Sequence, residues 1–147
     1  MRPILIGAVL LTSCGSPPDP SPKTDTSVDA AYDRTVEQLA AMNREATEDF
    51  KSGKPNDASA LIEKGEPLAS ELLAIPRPTL AAEEAASDLD DLYGRMLLSN
   101  RHYVWAQTLF QKNLARWKYW QPRTADTDRR MKQAQAAIAE CERHIAE

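Results

Sequence analysis

Histidine and cysteine are nearly missing from this 147-residue chain, with two of each. His102 and His144 are far apart in sequence, so no histidine-based metal cluster can be drawn at ligand spacing. Cysteines at positions 14 and 141 give no disulfide framework. Glycine is scarce as well, and its five copies form no Gly-rich phosphate loop. No serine or cysteine nucleophile signature is present either. A hydrolase would need a polar cleft that the sequence does not display, so the chain is expected not to be an enzyme and to carry no cofactor or metal. Period-2 runs bounded by hairpin turns are absent, which argues against a sheet. The longest apolar run, Ile4 to Leu11, falls far short of the roughly 20 residues of a membrane span. The formal net charge of −4 argues against nucleic acid as a partner.

What is present begins at the N-terminus. Arg2 supplies a positive charge, Ile4 to Leu11 an apolar segment, and Leu11-Thr12-Ser13-Cys14 an aliphatic residue, two small ones and a cysteine. This order resembles the lipobox signal peptide of bacterial lipoproteins. The resemblance implies removal of residues 1–13, acylation of Cys14, and a mature chain tethered outside the cytoplasm. Several acyl chains on one cysteine exceed the two-signal requirement for stable anchoring. Gly15 stands where an aspartate retains such proteins at the inner membrane, which favours an outer-membrane, periplasm-facing location. Residues 14–27 then form a linker: four prolines with Ser, Thr and no large apolar side chain cannot build a core.

Residues 28–147 read as one all-α domain of about five helices in antiparallel hairpins. Val28, Ala31, Tyr32, Val36, Leu39, Met42, Ala46 and Phe50 form the first apolar stripe, with Ser27 as N-cap and Gly53 as stop. A second helix starts near Asn56 or Asp57 and is predicted to kink or split at Pro67. Ile75 to Thr79 is a stiff connector whose threonine can cap the third helix, striped by Ala82, Ala85, Ala86, Leu89, Leu92, Tyr93, Met96 and Leu97. The fourth begins around Asn100 to His102 and reaches Trp120, with a run-on from the third left open. The fifth runs from about Thr124 to Ala146, with Asp126 and Asp128 at its start and Arg143 and His144 at its end, as the helix macrodipole favours.

Gly94, Ala106 and Phe110 have the spacing of the tetratricopeptide pattern, and Gly53 followed by Ala58 to Ile62 matches its turn and second-helix start. The physical content is that small residues let two helices approach closely while the aromatic fills the remaining space. Asp90 stands where the motif has Trp, and the two alanines, Ala58 and Ala106, are not one repeat apart. The chain thus resembles a divergent pair of tetratricopeptide hairpins, which implies a surface for protein or peptide binding.

Charge is segregated. Residues 25 to 91 hold sixteen acids against six bases, whereas residues 92 to 125 hold no acid and all three tryptophans. The simpler reading is that the acidic half packs on the basic half. The other is an exposed basic face for a partner. On the fourth helix, at about 100° per residue, Tyr103, Ala106, Phe110, Leu114 and Trp117 share the expected core side, extended by Leu109 and Trp120. Opposite them lie Arg101, Trp105, Lys112, Arg116 and Tyr119, the candidate partner-binding strip. Trp, Tyr and Arg are the residues of interface hot spots, and Arg101 is placed to stack on the Trp105 indole.

Asp88, Asp90 and Asp91 adjoin, but successive helical residues diverge, so a solvated acidic face is expected rather than an acid/base pair. Cys141 falls on a stripe with Met131, Ala134, Ile138 and Ile145 and reads as a buried apolar residue. The alternative is an intermolecular disulfide that makes a dimer. Together these readings predict an envelope lipoprotein acting as a non-catalytic protein-binding adaptor. The alternative is direct binding of anionic envelope polymer or lipid through the basic-aromatic strip.

Overall fold

The computed structural model describes residues 30–147. They form five helices: α1 (Ala30–Lys51), α2 (Pro55–Leu73), α3 (Leu80–Ser99), α4 (Tyr103–Tyr119) and α5 (Ala125–Ile145). The signal-peptide, Cys14 and linker readings, and the Ser27 cap, lie outside the described residues. No strand occurs among those described, and the all-α reading is correct.

Local chemistry sets the helix ends. Thr79 sits in extended backbone and its hydroxyl accepts from the Ala82 N–H at 3.2 Å, the cap expected of it. Thr124 and Thr127 form a reciprocal box, each hydroxyl accepting from the other's backbone N–H, at 3.2 and 2.9 Å. The ends of α1 and α3 share another device. Gly53 (φ 74°) and Arg101 (φ 63°) both adopt left-handed backbone. At each, the N–H of that residue and of the next fold back onto the last turn. Gly53 donates to Phe50 and Lys54 to Asp49; Arg101 donates to Leu98 and His102 to Leu97. This second turn separates α3 from α4, so the two do not run on.

Pro67 does not split α2, which is one helix with proline in its interior. Pro67 and Glu63, whose carbonyl loses its helical donor, are both exposed. Water can serve that carbonyl, while Ile62, Ala69 and Leu72 stay buried on the other side.

The helices pack in chain order around α3. α1 packs on α2 and α3, α2 on α3, α3 on α4, and α4 on α5. Two apolar cores result. The larger joins α1, α2 and α3 through Leu39, Ala58, Ile62, Leu72, Ala82 and Leu89; the smaller joins α4 and α5 through Ala106, Phe110, Ala137 and Cys141. At Gly94, α3 comes close to α4. A Cβ there would stand 2.7 Å from Phe110 Cε1, so the fully buried ring occupies the space the glycine leaves. On α5 the buried line runs through Thr127, Ala134, Ala137 and Cys141, while Ile145, expected in the stripe, is exposed.

Polar residues also hold α3. Buried Asn43 of α1 donates through Nδ2 to the Ala85 carbonyl at 2.7 Å, and buried Asn113 of α4 donates to the Ser87 carbonyl at 2.9 Å. Trp117 Nε1 donates to Ser87 Oγ at 2.9 Å. Tyr32 bridges the connector, donating to the Leu72 carbonyl and accepting from the Thr79 N–H.

Candidate functional site

The structure divides the strip predicted on α4. Arg116 belongs to the interior, with a side chain only 7% exposed. Its Nε donates to Glu83 Oε2 at 2.7 Å, its Nη1 donates to Asp90 Oδ2 at 3.1 Å, and Nη1 also donates to Asn113 Oδ1. Lys112 Nζ donates to the other oxygen of Asp90 at 2.9 Å while most of its stem stays in solvent. Arg116 is therefore a lock between α3 and α4 and not a partner-binding residue. Asp90, for its part, is buried against two cations and is not part of a solvated acidic face. The reason is the antiparallel run of the two helices. It sets Glu83, in the first turn of α3, beside Arg116 near the end of α4, and Asp90, midway along α3, between Lys112 and Arg116.

The aromatic members of the strip face outward. Trp105 is 69% exposed, Tyr119 75% and Val104, missed in the sequence reading, 61%. Arg101 is exposed at the α3–α4 turn without an ion-pair partner among the described residues. It does not stack on Trp105. The guanidinium that lies over an indole belongs to Arg130, 5.4 Å from the Trp117 ring, and Lys118 Nζ stands 5.6 Å from the Tyr119 ring. Beside Trp105 opens a cleft of about 590 Å³ walled by Tyr93, Leu97, His102, Thr108 and Leu109.

The acidic and basic halves do pack on each other. The pairs that join them are those of Arg116 and Lys112 with Glu83 and Asp90. Outside the basic stretch, Arg130 of α5 adds a further tie, donating to Asp88 of α3 at 2.6 Å and to Asp126 at 2.8 Å. Burial alone would lower the Arg130 pKa, but Asp88 and Asp126 outweigh it and hold it above its ordinary value. Hydrogen bonds from Arg130, then from Arg129, keep the Asp126 carboxyl below its usual range. Most of the basic charge is thus neutralised internally, which leaves Arg101 and Lys118 as the unpaired cations of the outer α4 face.

A second concavity lies between α1 and α3. It has a volume of about 700 Å³ and is lined by Asn43, Arg44, Lys51, Asp88, Asp91 and Arg95 among others. Asp88 and Asp91 also line a separate, smaller cleft with Arg129, Arg130 and Gln133 of α5; the two concavities adjoin at these aspartates and together make the groove across α1, α3 and α5. Its charges are partly paired: Lys51 with Glu48, Arg95 with Asp91. Arg44 has no ion-pair partner among the described residues, and Asn43 Oδ1 is a buried acceptor without a hydrogen bond. The sequence reading missed this groove. A single asparagine inside an apolar stripe carries no sign of which helix covers it.

Cys141 is fully buried. Burial first, and then the charge of Glu140, push its thiol up. The sulfur is thus enclosed in the smaller core, as a buried apolar residue would be. Among the described residues no group of three or more His, Cys, Asp or Glu is arranged to hold a metal, and no helix is long and apolar enough to cross a membrane. Comparison of the chain with protein-family models, curated proteins and solved structures finds no match.

Proposed function

We propose that this chain is a lipid-anchored bacterial envelope protein that works without catalysis, as an adaptor holding a partner protein at the membrane. The anchor in this reading is acylated Cys14. The partner is taken in the groove across α1, α3 and α5, the concave side of hairpins that resemble tetratricopeptide repeats. The observation that carries the reading is the groove's chemistry. Arginine, lysine and carboxylate side chains line it together. An extended polypeptide supplies the matching set: backbone N–H and C=O groups, and side chains of both signs. Confinement to the membrane plane raises the effective concentration of the domain for partners that share the membrane.

The test is site-specific photo-crosslinking in intact cells, with the probe at Arg44 in the groove or at Lys64 on the exposed side of α2. A discrete protein adduct at position 44, absent at 64 and reduced by Asp91→Lys, is the expected result. No adduct at 44, or the same adducts at both positions, overturns the groove as the partner site. Detergent-phase partition of Cys14→Ser checks the anchor separately: the wild type is expected in the detergent phase and the variant in the aqueous phase.

A further inference from the structure

We infer that the outer face of α4 lies against an anionic phospholipid surface, the helix resting flat at the headgroup level. Five large apolar side chains stand exposed among the described residues: Leu80, Val104, Trp105, Tyr119 and Ile145. Three of the five are on α4. At about 100° per residue, Val104, Trp105 and Tyr119 fall on one side of that helix, opposite the buried Ala106, Phe110 and Trp117. The outer side of α4 thus carries exposed apolar and aromatic side chains at both of its ends, with Thr108, Lys112 and Ala115 between them, although the fold buries only the opposite side. The surplus consists mainly of tryptophan and tyrosine, the side chains that settle where hydrocarbon meets headgroups.

Charge identifies the occupant. From position 92 to 125 the chain contains no acid. The acids that approach α4 from α3, Glu83 and Asp90, are already held by Arg116 and Lys112. The cations left on the outer face are Arg101 at one end and Lys118 at the other, with Lys112, paired to Asp90, between them. Lysine is depleted from protein–protein interfaces, whereas lysine and arginine around an apolar strip are the pattern that anionic lipid attracts.

Geometry allows the contact and leaves the groove free. Tyr93 and Leu97, which border the Trp105 cleft, lie on the opposite side of α3 from Asp91 and Arg95, which line the groove. With α4 on the bilayer, the groove opens away from it. The sixteen residues from Cys14 to Asp29 can span up to roughly 50 Å at about 3.1 Å per residue, twice the roughly 25 Å length of α4. The inference leans on the proposed anchor only for proximity.

The experiment mixes the purified full chain with vesicles whose lipids carry brominated acyl chains, and reads tryptophan quenching and co-flotation. Trp117 is fully buried and serves as an internal reference. In vesicles containing phosphatidylglycerol, part of the emission is expected to be quenched. Most of that loss should disappear in Trp105→Phe, and quenching should weaken in Arg101→Glu/Lys118→Glu and in vesicles of phosphatidylcholine alone. Quenching unchanged by Trp105→Phe, absent altogether, or indifferent to lipid charge overturns the proposal. So does a chain that fails to float with either vesicle. A protein adduct captured by a photo-probe at Trp105 in cells, together with no quenching, assigns the face to a protein partner instead. Co-flotation lost in Cys14→Ser tests the anchor, whereas Trp105 quenching tests the face, so the two readings fail separately.

Discussion

Arg101 holds a left-handed backbone at a helix end where glycine is usual, and its chain twin Gly53 shows the usual choice. For a residue with a Cβ this conformation costs roughly 1–2 kcal/mol. Nothing in the fold repays it, because the guanidinium makes no ion pair within the described residues. Arg101→Gly is therefore expected to raise stability by about 1 kcal/mol, measured as a higher urea midpoint at unchanged slope. A loss of stability would mean that the side chain has an internal role the structure does not display. Gly94 is the contrasting case. Its meeting with Phe110 was legible through the resemblance of Gly94, Ala106 and Phe110 to the tetratricopeptide pattern, in which such residues belong to two helices in contact. Asn43, Ser87 and Asn113 were not legible. A polar residue within an apolar stripe gives no sign of whether a carbonyl or water awaits it.

Between α3 and α4 the ion pairs differ in worth although their residues look alike in sequence. Arg116 is nearly enclosed and serves Glu83, Asp90 and Asn113 together. Removing it strands carboxylates that are mostly out of water, a change worth several kcal/mol when such a pair is broken from one side. Arg116→Met is expected to cost about 3 kcal/mol, somewhat softened because Lys112 still reaches Asp90. Lys112→Met, from a largely solvated side chain, is expected to cost less than about 1 kcal/mol. Urea unfolding of both variants checks the order, and equal costs would show that Arg116 is no lock. Helical periodicity placed Arg116 beside Trp105 on one strip and could go no further. Periodicity gives the direction of a Cα–Cβ bond, not which neighbour stands at that height. Pro67 teaches the same lesson. Its cost to α2 was readable, but not the burial of Ile62, Ala69 and Leu72 that keeps the helix whole.

Across the whole molecule, α3 is the shared wall of two cores, and the three tryptophans report on its sides. Trp117 is buried with its N–H on Ser87, and its ring meets Trp120 edge-on. Trp117→Ala is expected to cost about 3–5 kcal/mol. Trp105→Ala is expected to change stability by less than about 0.5 kcal/mol, since it leaves no cavity in either core. Comparable losses in thermal or urea unfolding would place Trp105 in the fold rather than on a working surface. The sequence was sufficient for the all-α class, four of the five helix starts among the described residues to within a few positions, the cap at Thr79, and the attraction between an acidic and a basic half. These depend on contacts between residues close in the chain, or on charge summed over long stretches. Folding in three dimensions assigned Arg116 and Asp90 to the interior, left Trp105 and Tyr119 outside, and opened the groove across α1, α3 and α5. Each of those outcomes depends on which helix passes which, at what height, and that is set by the combined packing of all five helices rather than by any one stretch of chain.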